Sequence, residues 1–597
     1  MWNFQRHQES QLRRPRTQLA ATRRGRSLRP RLEGLEDRTV LSTLTVLNAM
    51  DKGAGSLRDT ISKARDGDTI VFDSGLSNRT ITLTSDQLTI NKSLDIEGPG
   101  ASLLAISGND NNRVFDINEG LTVTIAGLTI THGRSVGNDG GGGIRNVGST
   151  LTLANDVLSN NVARGGAESA RGGAIADLHG GALMVTDSTF VGNRADGSEH
   201  SRKTEGGAIF TSGAPFYAPV VTLVRCAFIA NQAIGGNGLV VSPQAAGTPE
   251  VGLANGGAIH SGAEDGASTL TVEDSTFVGN QAIAGSGGSV AKGVSVYFVD
   301  GAQGGGISND PGGVLVVNGC RFSSNQAIGG SNSTGTAGTQ QAAVGYGVGG
   351  GLINEGTATI TNSTFDHNEA LGGSFNGGAS GSFRFGRGGG GGIFNALFFE
   401  PVTLTVSNCT FTDNRAVGGA GNAGGPLSGA GTGGGLANQN GATATVTGST
   451  FTGNQAIGGA GAAGGQGRDG LGGGIGNVVG STLTVIDCTL TGNQAIGGAG
   501  GNGGNGGNGF GGGLFNDGVS AAGTPATLRV TGSTVTANHA IGGAAGAGGS
   551  VGLGKGGGIY LTDGGVACLD MPTRTHVIAN QASTDHDDIF GVFTICP

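Results

Sequence analysis

The chain has 597 residues, a formal net charge of −9 and only 13% charged residues. Its 125 Gly lack the strict three-residue period and the high Pro content of a collagen triple helix, and one Trp, four Tyr and four Met are too few to anchor a series of ordinary globular cores. Residues 1–38 hold ten of its Arg, so the remainder is acidic and presents no basic surface of the kind that binds nucleic acid. No run of 18 apolar residues occurs, so no transmembrane segment is predicted.

Residues 1–43 form a basic N-terminal segment without the apolar stretch of a cleavable signal peptide. Within it, the stretch LRPRLEGLEDRTVLS at 28–42 resembles the LExLEDRxLLS segment found near the start of many large planctomycete surface proteins. This resemblance implies sorting to the cell envelope or the exterior. The alternative interpretation is a disordered basic tail.

A short helix is predicted next, where Ser56-Leu-Arg-Asp59 has the form of a capping box. Leu57, Ile61 and Ala64 share one helical face, and we expect this helix to cover the open first coil of a solenoid. Five strand-like segments follow it, at residues 69–72, 81–83, 94–96, 114–117 and 121–125.

Eleven Gly-rich repeats occupy residues 136–597, and residues 44–135 precede them as the cap and first coils. Two motifs recur, GG(G/A)(I/L) and aromatic-x-x-Asn-x-Ala, and the spacing between the Asn residues varies from 32 to 49 because a loop after the Ala varies in length. A period of this size is typical of a solenoid. The recurring Asn residues are Asn161, Asn193, Asn231, Asn280, Asn325, Asn368, Asn414, Asn454, Asn493, Asn538 and Asn580. The aromatic residues three positions earlier are Phe190, Phe228, Phe277, Phe322, Phe365, Phe411 and Phe451.

A third segment, such as Leu404-Thr-Val406, alternates apolar and polar residues between the two motifs, as a half-buried strand does. Each repeat therefore predicts three short strands, and stacking them at about 4.8 Å gives an all-β parallel β-helix. In this arrangement the Phe side chains form an interior stack and the Asn side chains form a structural ladder, bonded to the coils above and below. We prefer this ladder to a binding site because function rarely needs eleven copies of one amide.

The repeats also resemble a known family. Gly207-Ala-Ile209 with Phe190-Val-Gly-Asn193 is similar to the GGA(I/L) and FxxN repeats of the chlamydial polymorphic outer membrane proteins. The opening Gly55-Ser-Leu-Arg and the closing Asp587-Asp-Ile-Phe-Gly591 are similar to bacterial β-helix surface proteins more broadly. The resemblance implies a right-handed, pectate-lyase-like β-helix, export, and a role in adhesion or surface architecture.

Four cysteines share one repeat position, two residues before the Phe position, and alternate there with Ser: Cys226, Cys320, Cys409 and Cys488. Successive members would lie two coils apart, about 9.6 Å, which is too far for a disulfide. We interpret them as buried small residues. Cys568 and Cys596 lie outside this position, and the sequence leaves open whether they pair.

Polysaccharide lyases and hydrolases share this fold, so clustered acidic residues would indicate a catalytic site. Most acidic residues, such as Asp187, Asp274 and Asp487, take corner positions typical of turns. The densest acidic group is Asp585, Asp587 and Asp588, which we interpret as part of the C-terminal cap. His179, His200 and His260 lack metal-ligand spacing, and residues 464–472 match a calcium-binding nonapeptide only once, in a Gly-rich loop. We therefore assign no catalytic, cofactor-binding or metal-binding residue.

The sequence favours a non-catalytic structural or adhesin-like protein of the cell surface or exterior. A polysaccharide lyase or hydrolase, or a glycan-binding protein, is the alternative on the same fold. The Gly-rich loops, which we expect to be flexible and to emerge along one edge, are the best candidate for contact with a surface polysaccharide or another envelope protein.

Overall fold

The structure is a computed structural model that describes residues 41–198, 201–213, 217–241, 250–262, 268–290, 298–335, 343–378, 384–397, 401–425, 427–518 and 524–596. The N-terminal segment up to residue 40 lies outside the described residues, with most of the stretch 28–42 that resembles the planctomycete segment, and so does His200. Where the chain is described, no helix is long and apolar enough to cross a membrane.

The chain is a right-handed parallel β-helix. One coil shows the order of its strands: Ile175–Leu178 in sheet 1, Ala182–Thr186 in sheet 2, Thr189–Val191 in sheet 3, Arg194–Asp196 in sheet 4 and Lys203–Glu205 in sheet 5. Sheets 1 to 3 contain the three predicted strands of each repeat. Two further sheets are formed by short strands. The strands of sheet 4 follow the Asn of the second motif, and the strands of sheet 5 follow the variable loop.

Each sheet pairs one strand per coil with the coils before and after it. Within the described residues, sheet 1 has 14 strands, from Leu88–Ile90 to Ile589–Phe590, and sheet 2 has 16, from Thr43–Val46 to Thr594–Ile595. Sheet 3 has 14 strands, from Arg79–Thr82 to Val577–Ile578, sheet 4 has 12, from Arg134–Val136 to Gln581–Ala582, and sheet 5 has 10, from Ser169–Arg171 to Gly554–Lys555. Two smaller sheets of loop strands begin at Val240–Val241 and Phe298–Val299.

Alternation within the strands separates the interior from the surface. In the strand Thr482–Ile486, Leu483 and Val485 are fully buried while Thr482 is exposed. The next strand pairs in parallel with Leu483 beside Leu528 and Val485 beside Val530, so equivalent residues form columns along the stack. The core is therefore a set of such columns, and its burial of apolar side chains stabilises each coil only through its neighbours.

Both ends carry a short helix. The predicted N-terminal helix is confirmed over Leu57–Lys63, where the Ser56 side chain accepts a hydrogen bond from the Asp59 backbone N–H, and Leu57, Ile61 and Ala64 are buried. A 3-10 turn spans Ser74–Leu76. The second helix, Met571–Thr575, is capped by Asp570 and precedes the last strands.

Candidate functional site

The recurring Asn side chains lie in one column at the corner between sheets 3 and 4. The side-chain amide of each donates to the carbonyl oxygen of the next, over 2.9–3.0 Å from Asn161 to Asn580. The same amide donates to a backbone carbonyl of the preceding coil, as Asn368 does to Phe322 at 2.9 Å. Inside this column the side-chain oxygen and the side-chain N–H groups of an Asn such as Asn368 thus all have hydrogen-bond partners.

The column ends on one of the C-terminal acids. The Asn580 side chain donates to Oδ1 of Asp588 at 2.9 Å, and Oδ1 of Asp587 accepts from the backbone N–H of Ala582 at the same distance. Asp585 contacts His586 at 2.7 Å. Asp587 and Asp588 thus fix the turn that follows Asn580.

The Phe side chains form a second column inside the coils. From Phe190 to Phe451 they stack face to face with ring centroids 4.4–5.0 Å apart and planes within 8° of parallel. All seven are fully buried.

The cysteines divide into two chemical groups. Cys226, Cys320, Cys409 and Cys488 are free and buried. Burial raises the pKa of Cys226 to about 11, which suppresses the reactive thiolate. Cys568 and Cys596 form a disulfide that ties the last strand of sheet 2 to its neighbour.

A second amide column was not predicted. Asn309, Asn354, Asn395, Asn438, Asn477 and Asn516 occupy the third position of sheet 1 strands, and successive side chains bond at 2.7–2.9 Å. The signal was readable, because each of these Asn residues follows the Ile or Leu of the Gly-Gly motif by two positions. Nearer the N-terminus the column is continued by Asp177, which accepts from Asn146 at 2.6 Å.

A cluster of titratable side chains lies between the outer side of sheet 1 and sheet 5. Sheet 1 contributes His260, and Asp310 and Glu355 directly follow its next two strands. Sheet 5 contributes Glu205 and Gln303, two coils apart in the same column. We call these five residues the acid–base cluster.

Its contacts pass from coil to coil. Nε2 of His260 lies 3.3 Å from Oδ2 of Asp310 and 3.7 Å from Oε1 of Glu205. The other carboxylate oxygen of Glu205 accepts from Nε of Arg171 at 2.9 Å. Gln303 donates to Oε1 of Glu355 at 3.1 Å and to the Tyr346 hydroxyl at 3.1 Å.

Stacked rings position the imidazole. Phe210 and His260 are parallel, with centroids 5.5 Å apart, and the Arg171 guanidinium lies 4.9 Å from the Phe210 ring on the coil before. Because sheet 1 pairs Phe210 with His260, coil stacking itself sets this arrangement.

The pKa values of the acids in the cluster are shifted in opposite directions. Burial disfavours the charge of Glu205, but His260, Lys203 and Arg171 together hold the pKa of that carboxyl below its usual range. Burial and then the nearby charge of Asp310 raise the pKa of Glu355 well above its usual range. Burial likewise raises the pKa of Asp310. Glu205 therefore favours the ionised form more than an ordinary carboxyl does, and Glu355, three coils further along the stack, favours the protonated form. Carboxyls with opposite preferences are the groups that general acid and base chemistry uses.

Access to the cluster is narrow. Glu205 and His260 are 3% and 2% exposed, whereas the Asp310 side chain is 28% exposed. Nδ1 of His260 and Oδ1 of Asn255 are buried without a hydrogen-bond partner among the described residues. Within those residues, no group of His, Cys, Asp and Glu has the geometry of a metal site.

The Gly-rich loops differ from the flexible tracts we expected. The loops 458–470, 497–509 and 542–554 stack on one another, and every third backbone N–H donates to the next loop, as Gly464 does to Asn502 and Gly503 to Ala547. A Cβ at Gly501 would overlap the carbonyl oxygen of Ala462. Gly is therefore needed here for close approach of the backbones, which orders the loops. We call these three loops the loop edge.

Comparison with known proteins concerns the fold alone. No family model and no curated protein matches the sequence. Similar solved structures include the catalytic unit of a thermostable alpha-1,3-glucanase from Streptomyces thermodiastaticus, at 13% identity and a TM-score of 0.31, with 74% of this chain and 66% of that chain covered. A tailspike protein of bacteriophage CBA120 is 10% identical, with 89% and 57% covered and a TM-score of 0.29.

A third similar structure is the A-module of a mannuronan C-5 epimerase from Azotobacter vinelandii, which is 10% identical, with 92% and 97% covered and a TM-score of 0.23. The present chain spans slightly less than two thirds of the glucanase chain and a smaller share of the tailspike. All three are parallel β-helix proteins, and this chain is similar to them in fold.

Proposed function

We propose that this protein is a non-catalytic structural or adhesive component of the cell surface or exterior. The observation that carries the proposal is the loop edge, in which three successive loops are ordered by backbone hydrogen bonds between them. A repeated and ordered surface of this kind, in which Arg468 and Asp469 are the only charged residues, suits contact with a repeating partner such as a surface polysaccharide. The Cys568–Cys596 disulfide supports an oxidising compartment outside the cytosol.

The test compares retention and cleavage of polysaccharides. Purified full-length protein is passed over a panel of neutral and acidic polysaccharides, with and without Ca²⁺, and new reducing or unsaturated ends are measured. We expect retention without products. A variant with Asn502→Glu and Ala547→Glu, which adds charge to two exposed positions of the loop edge, should lose retention. The control Thr122→Glu, on an exposed position of sheet 2, should keep it. New ends would contradict the non-catalytic proposal.

The alternative function, a polysaccharide lyase or hydrolase, is favoured by the acid–base cluster. Here Glu205 would act as the base, and Asp310, whose raised pKa favours the acid form and which lies nearest to solvent, would act as the acid. If the panel yields products, His260→Gln and Glu205→Gln should abolish them. Glu369→Gln is the matched control, because Glu369 pairs with Arg415 on sheet 4 and lies outside the cluster.

The proposed location rests on the sorting motif. Cells that express the full chain should carry it in the envelope or medium, and replacement of Leu35, Glu36 and Asp37 by Ala should retain it inside. Equal distribution of the two proteins would indicate that residues 28–42 are a basic tail without a sorting role.

A further inference from the structure

A regular array of Thr side chains covers part of the outer side of sheet 2. Four successive strands, Thr357–Thr361, Thr403–Ser407, Thr443–Thr447 and Thr482–Ile486, each carry Thr at their first and third positions. These strands pair in register, so the side chains form two straight columns of four. We call the array the Thr grid; its members are Thr357, Thr359, Thr403, Thr405, Thr443, Thr445, Thr482 and Thr484.

The spacing of the grid is set by the β-structure. Neighbours along a column are about 4.8 Å apart, and the two Thr of one strand are about 6.7 Å apart. The inward residues of the same strands, such as Ala358, Leu404 and Val485, are at most 2% exposed, so the grid is built on a packed core. Thr is also stiff about χ1, so the methyl and hydroxyl groups keep their positions.

Thr recurs in these two columns elsewhere on sheet 2, as the pairs Thr122 and Thr124, Thr150 and Thr152, and Thr269 and Thr271. Among the described residues the Thr grid is the longest uninterrupted part of this array, because Met184, Val220 and Val314 break the columns in earlier coils and Arg529 breaks them in a later coil. Inside the grid there is neither charge nor an aromatic ring. Six of its eight Thr are exposed, and the one side-chain hydrogen bond found among the eight joins the hydroxyls of Thr403 and Thr357 at 3.3 Å.

The chemistry of the grid selects the partner. A single exposed hydroxyl gains little by exchanging one water for another, so binding to such a face requires many weak contacts made at once by a rigid, periodic partner. Water held in a crystal lattice has hydroxyl-compatible hydrogen bonding and repeats of similar size in two directions.

We propose that the Thr grid binds the surface of ice. The hydroxyls would join the outermost layer of the lattice, and the methyl groups between them would hold water in ordered positions. This activity does not rest on the proposed adhesive function, which uses the loop edge.

The experiment measures inhibition of ice recrystallisation and thermal hysteresis by the full-length protein. We expect the wild type to inhibit grain growth, and Thr405→Tyr with Thr445→Tyr, which breaks the centre of the grid, to reduce activity at least tenfold. The matched control is Thr412→Tyr with Thr452→Tyr, at half-buried positions on sheet 3 of the same coils. This control should remain active. Melting curves establish that all three proteins are folded.

Three outcomes would overturn the proposal. They are wild-type activity no greater than that of an equal mass of serum albumin, undiminished activity of the folded grid variant, and adsorption to cellulose or chitin microcrystals in place of ice. Retention on soluble polysaccharides is measured in parallel, so that failure of the Thr grid and failure of the loop edge can be told apart.

Discussion

At the scale of single residues, buried polar side chains decide how the coils hold together. Asn368 shows why: its oxygen accepts from the backbone and side-chain N–H groups of Asn325, and its amide donates to Phe322 and Asn414. Each contact replaces water that cannot enter the stack. Loss of this one side chain therefore leaves several buried groups unpaired.

We predict that Asn368→Ala lowers the local free energy of unfolding by roughly 3 kcal/mol or more, at about 1–3 kcal/mol for each of the three groups left unpaired, which are the two N–H groups of Asn325 and the Phe322 carbonyl. Hydrogen exchange of the amides in the flanking coils measures the loss. Asn502→Ala, at an exposed loop position, is the control and should change stability little. Equal effects of the two substitutions would contradict a stabilising role for the Asn column.

Asp177 makes stability depend on pH. Burial raises its pKa to about 7, although Asn146 donates to it. Since the native state binds the proton more tightly than the unfolded chain, the stability due to this carboxyl is present below about pH 4 and is lost as the pH rises to about 7.

Asp177→Asn should therefore stabilise the protein at pH 8, by at most roughly 4 kcal/mol, and leave it unchanged at pH 3. Thermal melting at both values checks this. The control is Asp187→Asn: Arg225 lowers the pKa of that exposed carboxyl, so its loss should give no gain at pH 8. A pH-independent effect at Asp177 would show that its charge is not the cause.

At the scale of elements, the last strands depend on a covalent link. Thr594–Ile595 pairs with only two residues of the strand Val566–Leu569, and sheet 2 ends there. The Cys568–Cys596 bond closes a segment with a sequence separation of 28, which reduces the entropy of the open state.

Cys596→Ser should destabilise this end by about 3.5 kcal/mol, the loop-entropy value for that separation. Faster hydrogen exchange confined to residues 570–596 is the expected result. Cys226→Ser removes a free buried thiol and should leave those amides unchanged. Unaltered exchange in Cys596→Ser would mean that strand pairing alone holds the end.

At the scale of the whole described chain, stability is a sum over neighbouring coils. Each strand of sheets 1 to 3 has partners in two coils except at the ends, and the Asn and Phe columns follow the same rule. We therefore predict that unfolding begins at the terminal coils and is not two-state. Amides near Val314–Asn318 should exchange more slowly than those near Thr43–Val46 and Val577–Ile578. Uniform exchange along the chain would indicate a single cooperative unit instead.

Much of this fold is determined by the sequence alone, because coil stacking makes the pattern one-dimensional. The recurring Phe and Asn, the alternating strands and the Ser56 helix cap are local signals, and a constant spacing from motif to strand preserves them despite loops of variable length. The second Asn column is also a local signal, because each of its Asn residues follows the Gly-Gly motif at a constant distance, although we did not predict it.

The acid–base cluster and the order of the loop edge were decided by the tertiary structure. Glu205, His260, Asp310 and Glu355 are separated by about 50 residues each and by loops of different length, so no spacing in the sequence brings them together. They meet because sheet 5 folds back over the outer side of sheet 1, where residue type varies from coil to coil. Likewise, the composition of a single Gly-rich loop predicts flexibility. The loops of the loop edge are ordered by hydrogen bonds from one loop to the next, which form because the coils stack.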